Sequence, residues 1–320
     1  MRVGIHTMDT GLSAPEAVAA VRRTAEGGFA HAWVNQGPTG HDPLGVLAAV
    51  GAAGPPDVEL GTAIVPTYPR HPVNLAAAAL TVQSLTGGRL TLGIGPSHPG
   101  IVEGQWGIPY EAPVAHTREY LEILRPLLRG EAVEHRGERL TAVTRLDVPG
   151  GGSGVPPARA PGVLLSALGP RMLRLAGELA DGTLATWVRP GLIARHLVPG
   201  VGAGAAPGVA PRVVVSAFVA VTAEPDRVRD ELAAAFGGAA AMPAYRAVLE
   251  RDGLTNVAET AVVGSESEVL RALERYGDAG ATDLIAVPWG EERTETLEVL
   301  AAAAHTYGRG SSRDRRQNSA

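Results

Sequence analysis

Two histidines stand where short β-branched runs end. His6 closes the run RVGIHT at 2–7, and His98 follows RLTLGIG at 89–95. A histidine so placed can move a proton near neutral pH or hold a substrate carbonyl. No H-x-H or H-E-x-x-H spacing ties either one to further ligands, so a zinc site has no support. His31, His135 and His305 read as peripheral. The segment SALGPR, from Ser166 to Arg171, sets a run end directly before a helix. Gly169 there permits close backbone approach and Pro170 suits a first helical turn, so exposed N–H groups can meet a phosphate. Arg171 or Arg174 would add charge, although the same turn would also serve simply to start a helix. A Walker loop is absent, and carboxylates are few at the run ends, which disfavours nucleoside triphosphate hydrolysis and paired-carboxylate hydrolysis. Trp33 reads as core. Trp106 suits covering a planar ligand, and Trp187 and Trp289 suit the walls of a pocket.

The elements that must position these residues alternate along the chain. Strands are expected at 2–7, 29–36, 58–65, 89–95, 162–168, 181–187, 212–222 and 281–288. Helices are expected at 14–26, 43–53, 71–85, 116–129, 171–180, 225–236, 242–250, 266–279 and 292–305. Ser13 with Glu16 reads as a capping box, and Asp42 before Pro43 as a second helix start. A long connection at 96–115 carries His98, Glu103, Trp106 and Tyr110, and connections of that length usually build or cover a site. A hairpin excursion is expected at 132–149, an irregular link at 150–160, and a surface loop at 199–211. Eight strands with intervening helices fit an α/β TIM (β/α)8 barrel with insertions, which puts its chemistry at the C-terminal strand ends. A doubly wound sheet is the alternative, but no G-x-G-x-x-G follows the first strand. One domain over 1–307 and a disordered polar tail over 308–320 complete the expected organisation.

Composition narrows the class. The 320 residues contain no Cys, which excludes disulfide scaffolds, thiol catalysis and thiolate metal sites. The formal charge of −5, from 28 basic and 33 acidic residues, suggests neither a nucleic-acid nor a membrane surface. The opening MRVGIHT lacks a basic region before an apolar core, and the apolar runs are short, so a cytoplasmic protein without a membrane span is expected. With only 3 Phe, 6 Tyr and 4 Trp, the core must rest on Ala, Val and Leu.

Several segments in order resemble the bacterial luciferase-like monooxygenase superfamily, and within it the coenzyme F420-dependent (deazaflavin) oxidoreductases. They are AEGGFAHAWVNQ, LGTAIVPTYPRHPVNLA, LTGGRLTLGIG, SALGPRMLRLAGELADG and AGATDLIAVP, covering residues 1–307. The resemblance implies a luciferase-like TIM barrel with the cofactor at its C-terminal face. It implies cofactor contacts at Ala63, Ile64, Val65, Gly95, Ser166, Ala167, Leu168, Gly169 and Thr186, and often a nonprolyl cis peptide after strand three. Asn35, Trp106, Trp187 and Trp289 fall to the substrate side, with His6 and His98 as catalytic candidates. The implied activity is hydride transfer between reduced F420 and a C=C, C=N or C=O group of a small molecule. The alternatives are an FMN-dependent monooxygenase using dioxygen, with a separate reductase, and a noncatalytic cofactor-binding protein. A homodimer is among the assemblies implied. Related sugar-phosphate dehydrogenases often end strand two with Asp-His and follow strand four with Gly-Glu. Here those places read Asn35–Gln36–Gly37 and Pro96–Ser97–His98, which argues against sugar-phosphate oxidation. Arg70, Arg89, Arg171 and Arg174 are candidates for a polyglutamate tail.

Overall fold

The computed structural model describes residues 1–7, 11–54, 57–148 and 160–317. Eight parallel strands close on themselves: β1 (Arg2–Thr7), β2 (His31–Val34), β3 (Glu59–Thr62), β4 (Leu90–Gly95), β5 (Gly162–Ser166), β6 (Gly182–Thr186), β7 (Arg212–Val221) and β8 (Asp283–Pro288). Spatial order follows chain order, and β8 pairs back onto β1 with Gly4 opposite Ile285. Helices Ala14–Glu26, Pro43–Ala52, Pro72–Leu85, Pro113–Leu128, Pro170–Leu179 and Glu266–Asp278 pack outside. The expected capping signals act: the Ser13 N–H donates to Glu16 at 2.8 Å, and Asp42 accepts from the Leu44 N–H at 2.9 Å.

Strand periodicity sorts the interior into layers, because alternate residues face the same side. Trp33, Leu164, Leu184, Val214 and Ile285 pack together in the middle of the barrel. Space for the Trp33 indole comes from Gly61, where an added Cβ would lie 2.1 Å from Trp33 Cε3. Two positions toward the C-terminal ends, the same faces carry His6, Asn35, Gly95, Ser166 and Thr186, so the layer above Trp33 is small and polar.

Two positions the other way lies a charged layer. Arg212 reaches Glu59 at 2.9 Å and Asp283 at 3.1 Å, Arg2 reaches Glu59 at 2.8 Å and also pairs with Asp283, and Thr91 donates to Glu59 at 2.7 Å. His31 is buried here, taking the Trp33 indole N–H at 2.6 Å and standing 3.5 Å from Asp283. The expectation of a peripheral His31 is therefore corrected. It is an interior residue, admitted because Gly4 leaves its ring room. Burial alone would raise the Asp283 carboxyl, but His31 and the charges of Arg212 and Arg2 hold it far below the usual carboxylate range. Glu59 is likewise lowered against its burial by Arg212 and Arg2. Both carboxylates thus titrate lower folded than unfolded, so their stabilisation is complete above about pH 5 and lost as pH falls below about 4. We expect Asp283→Asn to cost about 3 kcal/mol at neutral pH and to flatten the acid limb of the stability curve. Urea unfolding from pH 7 to pH 3 measures both.

Several boundaries differ from expectation. Strand three breaks after Thr62 at a cis peptide between Ala63 and Ile64, then resumes as Val65–Pro66 beside β4. The expected loop at 199–211 begins helical, as Val198–Gly202, because Gly177 and Gly204 let this segment pack close on helix Pro170–Leu179. A short strand, Val262–Gly264, extends the far end of β7, too brief to leave a periodic signal. The hairpin forms from Val133–Arg136 and Thr141–Thr144. The last helix runs Arg293–Gln317, past the expected start of a tail at Gly308, in a sequence with no proline to stop it. Apart from Ala160, the link at 150–160 lies outside the described residues, as do 318–320. Among the described residues no single helix is long and apolar enough to cross a membrane.

Candidate active site

A cavity of about 410 Å³ opens at the C-terminal ends of the strands. One wall is Ala63, Ile64 and Pro66, on either side of the cis peptide. Its base is Gly95, where an added Cβ would come within 2.9 Å of Ser166 and 3.1 Å of Ile64. Ser166, Leu168, Gly169 and Met172 form the side that follows β5. Asn35, Gln36, Gly37 and Pro38 face them from the end of β2. Pro96, Ser97, His98 and Ile101 come from the connection after β4, and Tyr110 and Pro113 from its far end. Ala244 and Tyr245 close the top from helix Pro243–Arg251.

The long connection is held in place by specific contacts. Ser97 adopts φ 61°, a left-handed turn that sends His98 back over the cavity. The Tyr110 hydroxyl donates to the Ser97 carbonyl at 3.2 Å, and its ring stacks on Tyr68 at 5.0 Å. Tyr68 in turn stacks on His116 at 4.0 Å. Burial pushes the His116 ring down to about 4, which keeps this stack uncharged.

The polar layer at the cavity is incompletely bonded. His6 Nε2, Asn35 Oδ1 and Gln36 Oε1 are buried without a hydrogen-bond partner among the described residues. Burial pushes the His6 ring down to about 4, while the neighbouring Asn35 amide acts in the opposite direction. His98 is also lowered by burial. Both are therefore neutral imidazoles near pH 7. Among the described residues, no Asp, Glu, Lys or Arg lines the cavity.

Helix Pro170–Leu179 starts at this cavity. Its N-cap Gly169 provides no side-chain cap, and Pro170 has no N–H, so the free first-turn donors are those of Arg171 and Met172. An added Cβ at Gly169 would meet nothing within 4 Å.

Of the residues singled out in the sequence, the cavity brings together Asn35, Ala63, Ile64, Gly95, His98, Ser166, Leu168 and Gly169. His6 shares the layer of Asn35 and Gly95 and stands against Asn35, outside the cavity lining. Val65 and Ala167 instead face the apolar shell between strands and helices, as alternation requires of neighbours of inward residues. Thr186 ends β6 without lining the cavity, and Trp106 also stays outside the lining, where Ile101 and Tyr110 stand instead. Trp187 and Trp289 join an aromatic cluster with Phe218 and Phe236, at ring distances of 5.3–6.4 Å. Trp187 backs the site through Tyr245, 4.4 Å away in an edge contact. Arg89 is removed from the tail candidates, because it precedes β4 at the opposite end of the barrel and pairs with Asp57 at 3.0 Å. Tyr245 and Met172 were not singled out, although Tyr245 shares a helical stripe with the buried Val248 and Leu249, and that spacing is visible in the sequence.

Two larger depressions lie elsewhere. One of about 630 Å³ opens at the N-terminal strand ends over Arg2, Glu59 and Arg212. The other, about 620 Å³, runs along helix Glu266–Asp278. The first is lined by charges already paired, at the barrel end that serves stability, and the second lies outside the barrel.

The family model for luciferase-like monooxygenases matches residues 1–283. The chain belongs to the luciferase-like monooxygenase family. Among its relatives is a Mycobacterium tuberculosis protein assigned as a coenzyme F420-dependent oxidoreductase, 34% identical over 153 residues, 42% of this chain and 40% of the relative. Another is the 5,10-methylenetetrahydromethanopterin reductase of Archaeoglobus fulgidus, 31% identical over 170 residues, 53% of this chain and 48% of that one. The matched parts thus span less than half the length of these relatives. In three dimensions the luciferase-like barrel resembles the coenzyme F420-dependent tetrahydromethanopterin reductase of Methanopyrus kandleri. The TM-score is 0.77 over 94% of this chain and 97% of the other, at 22% identity.

Proposed function

We propose that the protein is an F420-dependent oxidoreductase acting on a small organic molecule. The observation that carries this reading is the buried polar group of His6, Asn35 and Gln36 at an otherwise apolar slot, in which Gln36 Oε1 has no hydrogen-bond partner among the described residues. Buried polar atoms are almost always bonded, so a ligand edge with donors and acceptors is the natural complement. Ala63, Ile64 and Gly95 would hold a flat ring on one side, and Leu168 and Met172 would border it. The Arg171 and Met172 N–H groups, with Gly169 beside them, would take the cofactor phosphate. Relatives whose names state F420 dependence support deazaflavin over FMN.

When bound, F420 supplies or accepts a hydride at its ring. The chain's part is to orient substrate and ring, exclude water and handle the proton. His98 stands at the cavity rim and is neutral near pH 7, so its imidazole can pass a proton from solvent to the substrate oxygen. His6, beside Asn35, would hold Asn35 and the ring edge instead. A carbonyl that gains the hydride and this proton leaves as the alcohol.

Anaerobic mixing of the protein with reduced F420 and a panel of ketones, enones and imines tests the assignment. Acceptor-dependent oxidation of F420 is expected. His98→Ala is expected to lower kcat about 100-fold with little change in cofactor affinity. Oxygen-dependent product formation with reduced FMN, and none with F420, would overturn the reading.

A further inference from the structure

Tyr245 is a residue the hydride-transfer reading does not use. It projects from helix Pro243–Arg251 into the cavity roof, its ring 4.7 Å from His98 and 4.4 Å from Trp187. Its hydroxyl makes no hydrogen bond among the described residues. The helix is anchored at its end. Asp252, which is buried, accepts from Arg189 at 2.8 Å and from Arg195 at 2.6 Å, and both arginines come from the segment after β6 that carries Trp187. Val248 and Leu249 are buried beneath the same helix. Tyr245 is thus a held ring with a free donor over the place where a substrate would lie.

The charges around the site sharpen what it would take. No charged residue among those described lines the cavity. Arg70 is engaged with Asp42 at 2.7 Å and Arg189 and Arg195 with Asp252, while Arg171 stands exposed at the helix start beside Gly169. An anion placed under the Tyr245 and His98 rings, away from the helix start at Gly169, would lose water and meet no charged side chain of the described lining. Burial keeps His98 neutral and pushes the Tyr245 phenol up to about 12, so the roof offers donors without charge at neutral pH.

We propose that Tyr245 determines specificity: its hydroxyl donates to the carbonyl oxygen of an uncharged, flat, largely apolar substrate, packed under the Tyr245 and His98 rings. This rests on the hydride-transfer reading and names its substrate class. A phosphorylated or carboxylated group is disfavoured at that place by the same feature, the lack of a charged side chain in the described lining.

The test uses two flat probes of nearly equal shape, acetophenone and benzoate. Binding is measured by ligand-observed NMR titration at neutral pH, with and without oxidised F420. Acetophenone is expected to bind the wild type at least about tenfold more tightly than benzoate. Tyr245→Phe, which keeps the ring, is expected to weaken acetophenone about fivefold to tenfold, and Tyr245→Ala further. The dissociation constant for F420 should be the same in all three proteins. Benzoate binding as tightly as acetophenone, no saturable acetophenone binding, or no change in Tyr245→Phe would each overturn the proposal. Absence of F420 binding in the wild type would strike the cofactor assignment instead, while the effect of Tyr245→Phe on acetophenone is still read without cofactor.

Discussion

Gly169→Asp is expected to weaken F420 binding about 100-fold while leaving the melting temperature unchanged or slightly raised. The two effects have separate causes at one atom. Gly169 is the N-cap of helix Pro170–Leu179, has an ordinary extended backbone (φ −87°, ψ 153°), and has open space where a Cβ would go. Aspartate is a better N-cap than glycine by a few tenths of a kcal/mol, and its charge suits the helix start. The carboxylate would occupy the N–H groups of Arg171 and Met172 and put a negative charge where the cofactor phosphate is proposed to sit. Like charges at that range cost several kcal/mol, and about 1.4 kcal/mol corresponds to each factor of ten. Thermal unfolding and a cofactor titration on the same sample read the two effects together. Equal affinity in Gly169→Asp and wild type would remove the phosphate from this helix.

A large loss of stability is expected at Gly61. A methyl there would sit 2.1 Å from Trp33 Cε3 and 2.3 Å from Cζ3, inside a barrel that holds Trp33 fully buried. Overpacking of this kind costs about 3 kcal/mol, roughly 5 °C or more in Tm for a chain of this size. Because Ala63 and Ile64 pack on the same cluster as Trp33, a displaced indole would also disturb the proposed ring wall. Combining Gly61→Ala with Trp33→Leu is expected to recover at least half of the lost stability, although each change alone destabilises. That non-additivity marks the contact, and chemical denaturation of the four proteins in the cycle measures it. Additive losses would mean that the glycine matters for backbone reasons alone.

These two glycines also show what a sequence reveals here. Gly169 was legible because its role is local: a strand end, a glycine and a proline at a helix start lie within a few residues. The same holds for Ser13 with Glu16 and for Asp42 with Pro43. The barrel was legible because eight β-branched runs alternate with helical ones. Gly61 and Trp33 belong to different strands, and only closure of the barrel puts one under the other. The same limit explains His31, whose interior place depends on Gly4 and Asp283 from two other strands. Val65 and Ala167 adjoin residues that line the cavity, and the two-residue period turns them outward. Trp187 and Trp289 directly follow strand ends, but their rings meet Phe218 and Phe236 rather than the cavity. Tyr245 lies on a helix distant in sequence from any strand end, so reading strand ends alone passes over it.

The central claim is that the slot between Ala63–Ile64 and Gly95 on one side and Leu168–Met172 on the other holds a deazaflavin. Equilibrium titration of the wild-type protein with oxidised F420 and, separately, with FMN tests it most directly, with cofactor fluorescence as the readout. The account predicts saturable binding of one F420 per chain, and FMN binding at least about tenfold weaker. FMN binding more tightly than F420, or neither cofactor binding, would contradict it.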